Sequence, residues 1–307
     1  MYKHTKALFF VVYFLCGCLL FGSGQFFYNK NISANLSENS QIQQASIKLP
    51  IIMYHSIANG TPNKFKISPR KLSDDFEYIK EHEMHPVFLS QVVDFVERDV
   101  ALPSNPIVLS FDDGYRNIFQ NVLEIIKEYN FKIVISVIAK ATDAHIDAEF
   151  PANAHMNYTQ IQTMLDTGLV ELASHTYDMH GSSPRLGIRK LRGESDENYL
   201  NKLSTDDINF KNSIFKNLNL SPKAFTYPYG KYNNIAKQYL KNNGYNIAMT
   251  CDHDINIINK NTDLMTLKRF NRPPQPSSKQ FFDAIDYIGR DDGKSSMGKV
   301  LKYSWWK

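Results

Sequence analysis

Ile107-Val-Leu-Ser-Phe-Asp-Asp-Gly-Tyr115 is the stretch around which the chain is read. Its first part, IVLSF, is apolar and uncharged, the pattern of a strand buried on both faces. Two adjacent carboxylates, Asp112 and Asp113, then meet Gly114. Consecutive side chains of a strand point to opposite faces, so within the strand one of the pair would enter the core unpaired. The pair is therefore expected at the C-terminal end of the strand, where Gly114 turns the backbone. In α/β folds that edge is where sites are built. An ordinary Asp-Gly turn is the plain alternative for these residues alone.

Working outward, strands and helices alternate. Leu49-Pro-Ile-Ile-Met-Tyr-His-Ser-Ile57 reads as an apolar strand carrying His55 at its end. Ser68 and Pro69 open a helix reaching about Glu83, with Leu72, Phe76 and Ile79 on one face. A short strand near 86–89, a helix over 90–97, a helix over 117–129 and the strand FKIVISVI follow. Helices are expected at 157–166, 197–218, 233–243 and 279–288, and strands at 169–174, 245–249 and 264–270, with AFTYPYG closing a strand in a turn. Such alternation indicates a parallel sheet or barrel.

The chain begins with Lys3, His4 and Lys6 and then runs without charge from Ala7 through Tyr28. This reads as a signal peptide or membrane anchor over 1–28, which exports the remainder to the outer face of the membrane, anchored or secreted. Residues 29–48 are polar and read as a tether. A net charge of +4 without an arginine-rich run argues against nucleic acid as a partner. With three cysteines, two of them in the N-terminal apolar stretch, no disulfide framework is expected, and Cys251 reads as a buried, inert thiol.

Three strand ends carry polar chemistry: His55, Asp112 with Asp113, and His175 with His180 in SHTYDMH. In a parallel barrel the C-terminal ends of all strands open on one face, so these groups can converge. A five-residue spacing fits neither a helix face nor a strand face, so a loop must fold His180 back beside His175. Two histidines and a carboxylate suit a divalent metal that keeps open positions, with Zn²⁺ favoured and Co²⁺ or Ni²⁺ compatible.

SFDDGY, SHTYDMH and TYPYG, in this order, resemble the successive motifs of the polysaccharide deacetylase family, carbohydrate esterase family 4. MYHSI and the long histidine spacing resemble the subgroup of poly-β-1,6-N-acetylglucosamine deacetylases and Gram-positive cell-surface deacetylases. The resemblance covers about residues 49–270, leaving 271–307 as a C-terminal extension. It implies a distorted (β/α) barrel with fewer than eight regular repeats, and metal-dependent N-deacetylation of an N-acetylated polysaccharide. By the same resemblance Asp113, His175 and His180 are the metal ligands and Asp112 is the general base. The N–H of Tyr229, after Pro228, is an oxyanion donor, His55 is the general acid, and Tyr115 supports the site. Two departures stand out. Tyr227 occupies the position of a family arginine, for which Arg269 is the expected replacement, and the last histidine is His253 rather than one near the C-terminus. The alternatives are a glycoside hydrolase, whose carboxylates straddle the scissile bond and need no histidine pair, and a glycan-binding protein that would have lost Asp112 or a ligand.

Overall fold

The computed structural model describes residues 46–144, 154–290 and 295–306. The expected N-terminal membrane segment lies outside these residues, and among the described residues no helix is long and apolar enough to cross a membrane.

In chain order the strands are β1 Ile47–Leu49, β2 Ile51–Tyr54, β3 Ser56–Ile57, β4 Lys66–Ile67, β5 His85–Pro86, β6 Pro106–Phe111, β7 Ile133–Val137, β8 Val170–Ser174, β9 Ala224–Thr226, β10 Ile247–Met249, β11 Asn256–Ile258 and β12 Phe270–Asn271. The helices are α1 Pro69–Glu81, α2 Leu89–Arg98, α3 Arg116–Tyr129, α4 Ala139–Asp143, α5 Tyr158–Leu165, α6 Asp196–Leu218, α7 Asn234–Asn242, α8 Ser278–Ile288 and α9 Ser296–Val300. Their starts follow local chemistry. Ser68 accepts the Lys71 N–H ahead of Pro69, and Asn157 and Ser277 form capping boxes with Gln160 and Gln280.

The main sheet runs β10-β9-β8-β7-β6-β2-β12 with every neighbour parallel, and β5 pairs beside β6. Its two ends meet across one segment. Leu267 exchanges backbone hydrogen bonds with the β10 edge, donating to Ala248 O and accepting from Thr250 N, while Phe270 and Asn271 pair with Ile52 and Met53 of β2. The expected barrel with fewer than eight regular repeats is thus a seven-strand path joined by an irregular closing segment.

Alternation along the strands sorts the core into two faces. Ile52, Leu109, Phe111, Ile133 and Ile135 pack in one cluster with the apolar stripes of α1, α3, α5 and α8. Ile51, Val108, Val134 and Ala173 belong to a second cluster that includes Val92 and Phe95 of α2. The second face is therefore the inner one. Glu171, on this inner face of β8, accepts from the N–H groups of Leu89 and Ser90 and so fixes the start of α2.

Three expectations change. Residues 47 and 48 are not tether but part of β1, which pairs antiparallel with β11, a strand that the sequence pattern did not reveal. Residues 264–270 do not form one strand: Leu264–Thr266 is a 3-10 turn and only the end of the run joins the ladder. The run is apolar because its side chains are buried, and burial is not strand-specific. Residues 271–307 are not a separate extension either. Asn271 is in the sheet, and buried Arg272 forks onto buried Asp75 of α1 at 2.8 Å on both oxygens.

Candidate active site

The C-terminal ends of β2, β6, β8 and β9 open on one mouth. Asp112 follows β6 and continues its inward alternation, and Asp113 then turns at φ 69°. Gly114 follows, also at φ 69°, where a Cβ would be strained by the backbone and would stand 3.0 Å from Val137 Cγ1. Asp112 does enter the core, but not unpaired. The Arg269 guanidinium meets it bidentately, Nη1 to Oδ1 at 2.7 Å and Nη2 to Oδ2 at 2.9 Å. Arg269 also donates to Thr250 O at 2.7 Å and to Ser110 Oγ at 3.2 Å, and its side chain is fully buried. Burial works against a charge on Asp112, yet Arg269, with His175 and His55 nearby, outweighs it and holds the carboxyl below the usual range.

Asp113 Oδ1 lies 3.4 Å from His175 Nε2 and 3.3 Å from His180 Nε2, and the two Nε2 atoms are 3.1 Å apart. His175 Nδ1 lies 2.8 Å from Thr226 O, a bond in which the imidazole donates and which leaves Nε2 facing Asp113. Burial opposes a charge on His175, but the Asp113 hydrogen bond and both aspartates raise its pKa above the ordinary value, so this spot favours positive charge. The fit to a metal is direct. Ligands about 2.0–2.1 Å from a tetrahedral Zn²⁺ are separated by roughly 3.3–3.4 Å, close to the 3.1, 3.3 and 3.4 Å between these three atoms. The loop that the five-residue histidine spacing required is therefore present.

A family model described as polysaccharide deacetylase matches residues 99–248. The chain carries a polysaccharide deacetylase domain. It is similar to the poly-beta-1,6-N-acetyl-D-glucosamine N-deacetylase of Escherichia coli (strain K12), 23% identical over 275 residues that cover 82% of this chain and 40% of that protein. The chain thus spans about two fifths of that relative's length. It is likewise 23% identical over 218 residues to the protein of the same name from Staphylococcus aureus (strain MRSA252), covering 71% of each. Among solved structures, a de-N-acetylase from Aggregatibacter actinomycetemcomitans superposes with a TM-score of 0.65 at 25% identity, covering 76% of this chain and 100% of that one.

In this deacetylase domain the remaining expected residues stand around the same mouth. His55 Nε2 is 3.9 Å from Asp112 Oδ2, and its ring rests on Phe65 with centroids 4.7 Å apart. Burial pushes the His55 imidazole down, against the pull of Asp112 and Asp113. His55 Nδ1 is buried with no hydrogen-bond partner among the described residues. Tyr115 shares a hydrogen bond with Asp113, and burial followed by that carboxylate raises its hydroxyl pKa. Tyr229 sits in the 3-10 turn Pro228–Gly230 at φ 57°, and its hydroxyl donates to His180 O at 3.2 Å. The turn is packed closely. A Cβ on Gly187 would lie 2.5 Å from Pro228 O, and one on Gly230 would lie 2.6 Å from Cys251 N. Tyr227 is buried away from the mouth and stacks on Tyr232, so it does not do the work of an arginine there.

His55, Asp112, Asp113, Tyr115, His175, His180 and Tyr229 line a cleft of about 470 Å³. Sequence reasoning missed part of its wall. His253, Trp305 and Trp306 also line it. Trp306 donates from Nε1 to Asn271 O at 2.8 Å and packs on His253 and Phe270. The paired tryptophans near the end of the sequence were the available signal. Cys251 is partly exposed in the cleft rather than buried, and its Sγ is 3.7 Å from Arg269 Nη2. Burial, reinforced by Asp112, raises its thiol pKa against the opposing pull of Arg269, which keeps it a poor nucleophile.

Proposed function

We propose that this domain is a metal-dependent hydrolase that removes N-acetyl groups from N-acetylglucosamine units of an extracellular or cell-wall polysaccharide. The observation that carries the reading is the triangle of Asp113, His175 and His180 beside an Asp112 held ionised by Arg269, all at one barrel mouth. A glycoside hydrolase would need carboxylates on either side of the bond and would have no use for that triangle.

An amide is a poor electrophile with a poor leaving group. A divalent cation held by Asp113, His175 and His180 would polarise its carbonyl and make bound water a stronger nucleophile. Asp112 is placed to accept the proton of the attacking water, and the Arg269 fork fixes which way its oxygens point. The Tyr229 N–H is the donor for the developing oxyanion. His55 gives a proton to the departing amine. Its Nε2 stands 3.9 Å from Asp112 Oδ2, the oxygen that Arg269 Nη2 also meets, and its side chain is only 13% exposed. The rings of Phe65, Tyr115, Tyr229 and Trp305 around the cleft offer apolar faces to pyranose rings. Zn²⁺ suits the donor set, with Co²⁺ or Ni²⁺ compatible. The apolar N-terminal run supports export, with the domain on the outer face of the membrane.

Acetate release from poly-N-acetylglucosamine, peptidoglycan and chitin oligomers tests this. We expect release from at least one polymer, abolished by dialysis against a chelator and restored by Zn²⁺. Full activity in rigorously metal-free protein would sink the metal assignment, and no acetate from any of the three would sink the substrate class.

A further inference from the structure

His175 and His180 are not held equally. The His175 ring is buried and tied to Thr226 O, whereas the His180 side chain is 22% exposed and reaches the triangle from a loop. That loop leaves β8 through Thr176 at φ 76°, a conformation that a β-branched residue adopts only under constraint. The constraint is visible on both edges of the loop. Thr176 O and Tyr177 O accept from the N–H groups of Ala139 and Lys140 at the start of α4. On the other edge, the N–H groups of Tyr177, Asp178 and Met179 converge on one carboxylate of α6, Asp206, with the first two bonds at 2.9 and 2.7 Å. Successive N–H groups aimed at one anion form a nest.

We propose that Asp206 is a positioning residue for the candidate metal centre: by gathering the Tyr177, Asp178 and Met179 N–H groups it sets where His180 stands opposite His175 and Asp113. The proposal rests on the metal reading above. Asp206 is only 7% exposed, and a buried carboxylate is costly unless its acceptors are used. Its bonds from the Tyr177, Asp178 and Met179 N–H groups all run to this loop. Its neighbour Asp207 is equally buried but serves packing: it accepts from Lys211 Nζ, Tyr239 Oη and Tyr245 Oη, tying α6 to α7 and to the segment before β10. The two adjacent aspartates thus divide between ligand placement and helix docking.

The difference gives a test with its own control. Full-length protein stripped of metal is titrated with Zn²⁺ against a chromophoric chelator, alongside thermal unfolding and steady-state acetate release. Groups that orient metal ligands are typically worth about 10–100-fold in metal affinity. Asp206→Asn keeps the shape and one acceptor oxygen, so its Zn²⁺ affinity should fall about 10-fold and kcat should fall more than KM changes. Asp206→Ala should lose more, towards about 100-fold. Asp207→Asn should lower the unfolding temperature and leave Zn²⁺ affinity near wild type. Wild-type affinity and kcat in Asp206→Asn would overturn the proposal. So would equal losses of Zn²⁺ affinity in Asp206→Asn and Asp207→Asn, because Asp206 would then only dock the helix. A wild-type chain that binds no Zn²⁺, Co²⁺ or Ni²⁺ would instead remove the metal reading and this proposal with it.

Discussion

Replacing Arg269 with methionine probes the pairing on which the proposed base depends. The guanidinium is fully buried and the Asp112 side chain is 2% exposed, so neither charge is screened by water. Methionine removes two charge-assisted bonds to Asp112 and also those to Thr250 O and Ser110 Oγ, leaving a buried carboxylate without a counter-charge. Breaking a buried pair by deleting one partner costs about 3–5 kcal/mol. For a domain of this size each kcal/mol moves the unfolding midpoint by about 2–4 °C, so the variant should melt roughly 6–20 °C lower. In an Asp112→Asn background the same change strands no charge and should cost clearly less, giving a coupling of about 1–3 kcal/mol in a double-mutant cycle. Arg269→Lys should recover only part of the loss, because an ammonium cannot make the fork. Acetate release should fall in both Arg269 variants, since Asp112 is no longer oriented. Additivity of the two single variants within about 0.5 kcal/mol would refute the reasoning.

Two further outcomes follow from neighbouring histidines. His55→Ala should keep its metal and lose about 10²–10⁴-fold in amide hydrolysis, with a smaller loss on an ester whose alcohol leaves more easily; loss of the metal would make His55 a ligand instead. His253 is pushed down to about 4 by burial, from about 6.5 in an unfolded chain. Between those pH values the unfolded chain binds the extra proton, so stability should fall as pH drops from about 6.5 towards 4, by roughly 3 kcal/mol for this group, with His55 acting in the same direction. His253→Phe keeps the ring against Phe270 and Trp306 and should flatten that pH dependence in urea unfolding; an unchanged slope would exclude His253 as its source.

Much of this protein is written locally in its sequence. The apolar stripes of α1 and α3, the capping boxes at Asn157 and Ser277 and the buried runs of β6 and β7 depend on spacing within one element, and spacing is visible in a sequence. The chemical types were legible too, because DDG and SHTYDMH end strands where a parallel sheet gathers its edges. What only the tertiary structure decided lies between elements far apart in the chain. Arg269 reaches Asp112 across 157 residues because the irregular segment that closes the barrel happens to face β6, and no local pattern encodes that register. Trp306 reaches the cleft because Asn271 closes the sheet and offers its carbonyl 35 residues earlier. Nothing in the spacing within the helix over 197–218 sets Asp206 apart; its role depends on which loop the α6 face meets. Periodicity reports whether a residue is buried, while its partner is fixed by how strands and helices close around one another.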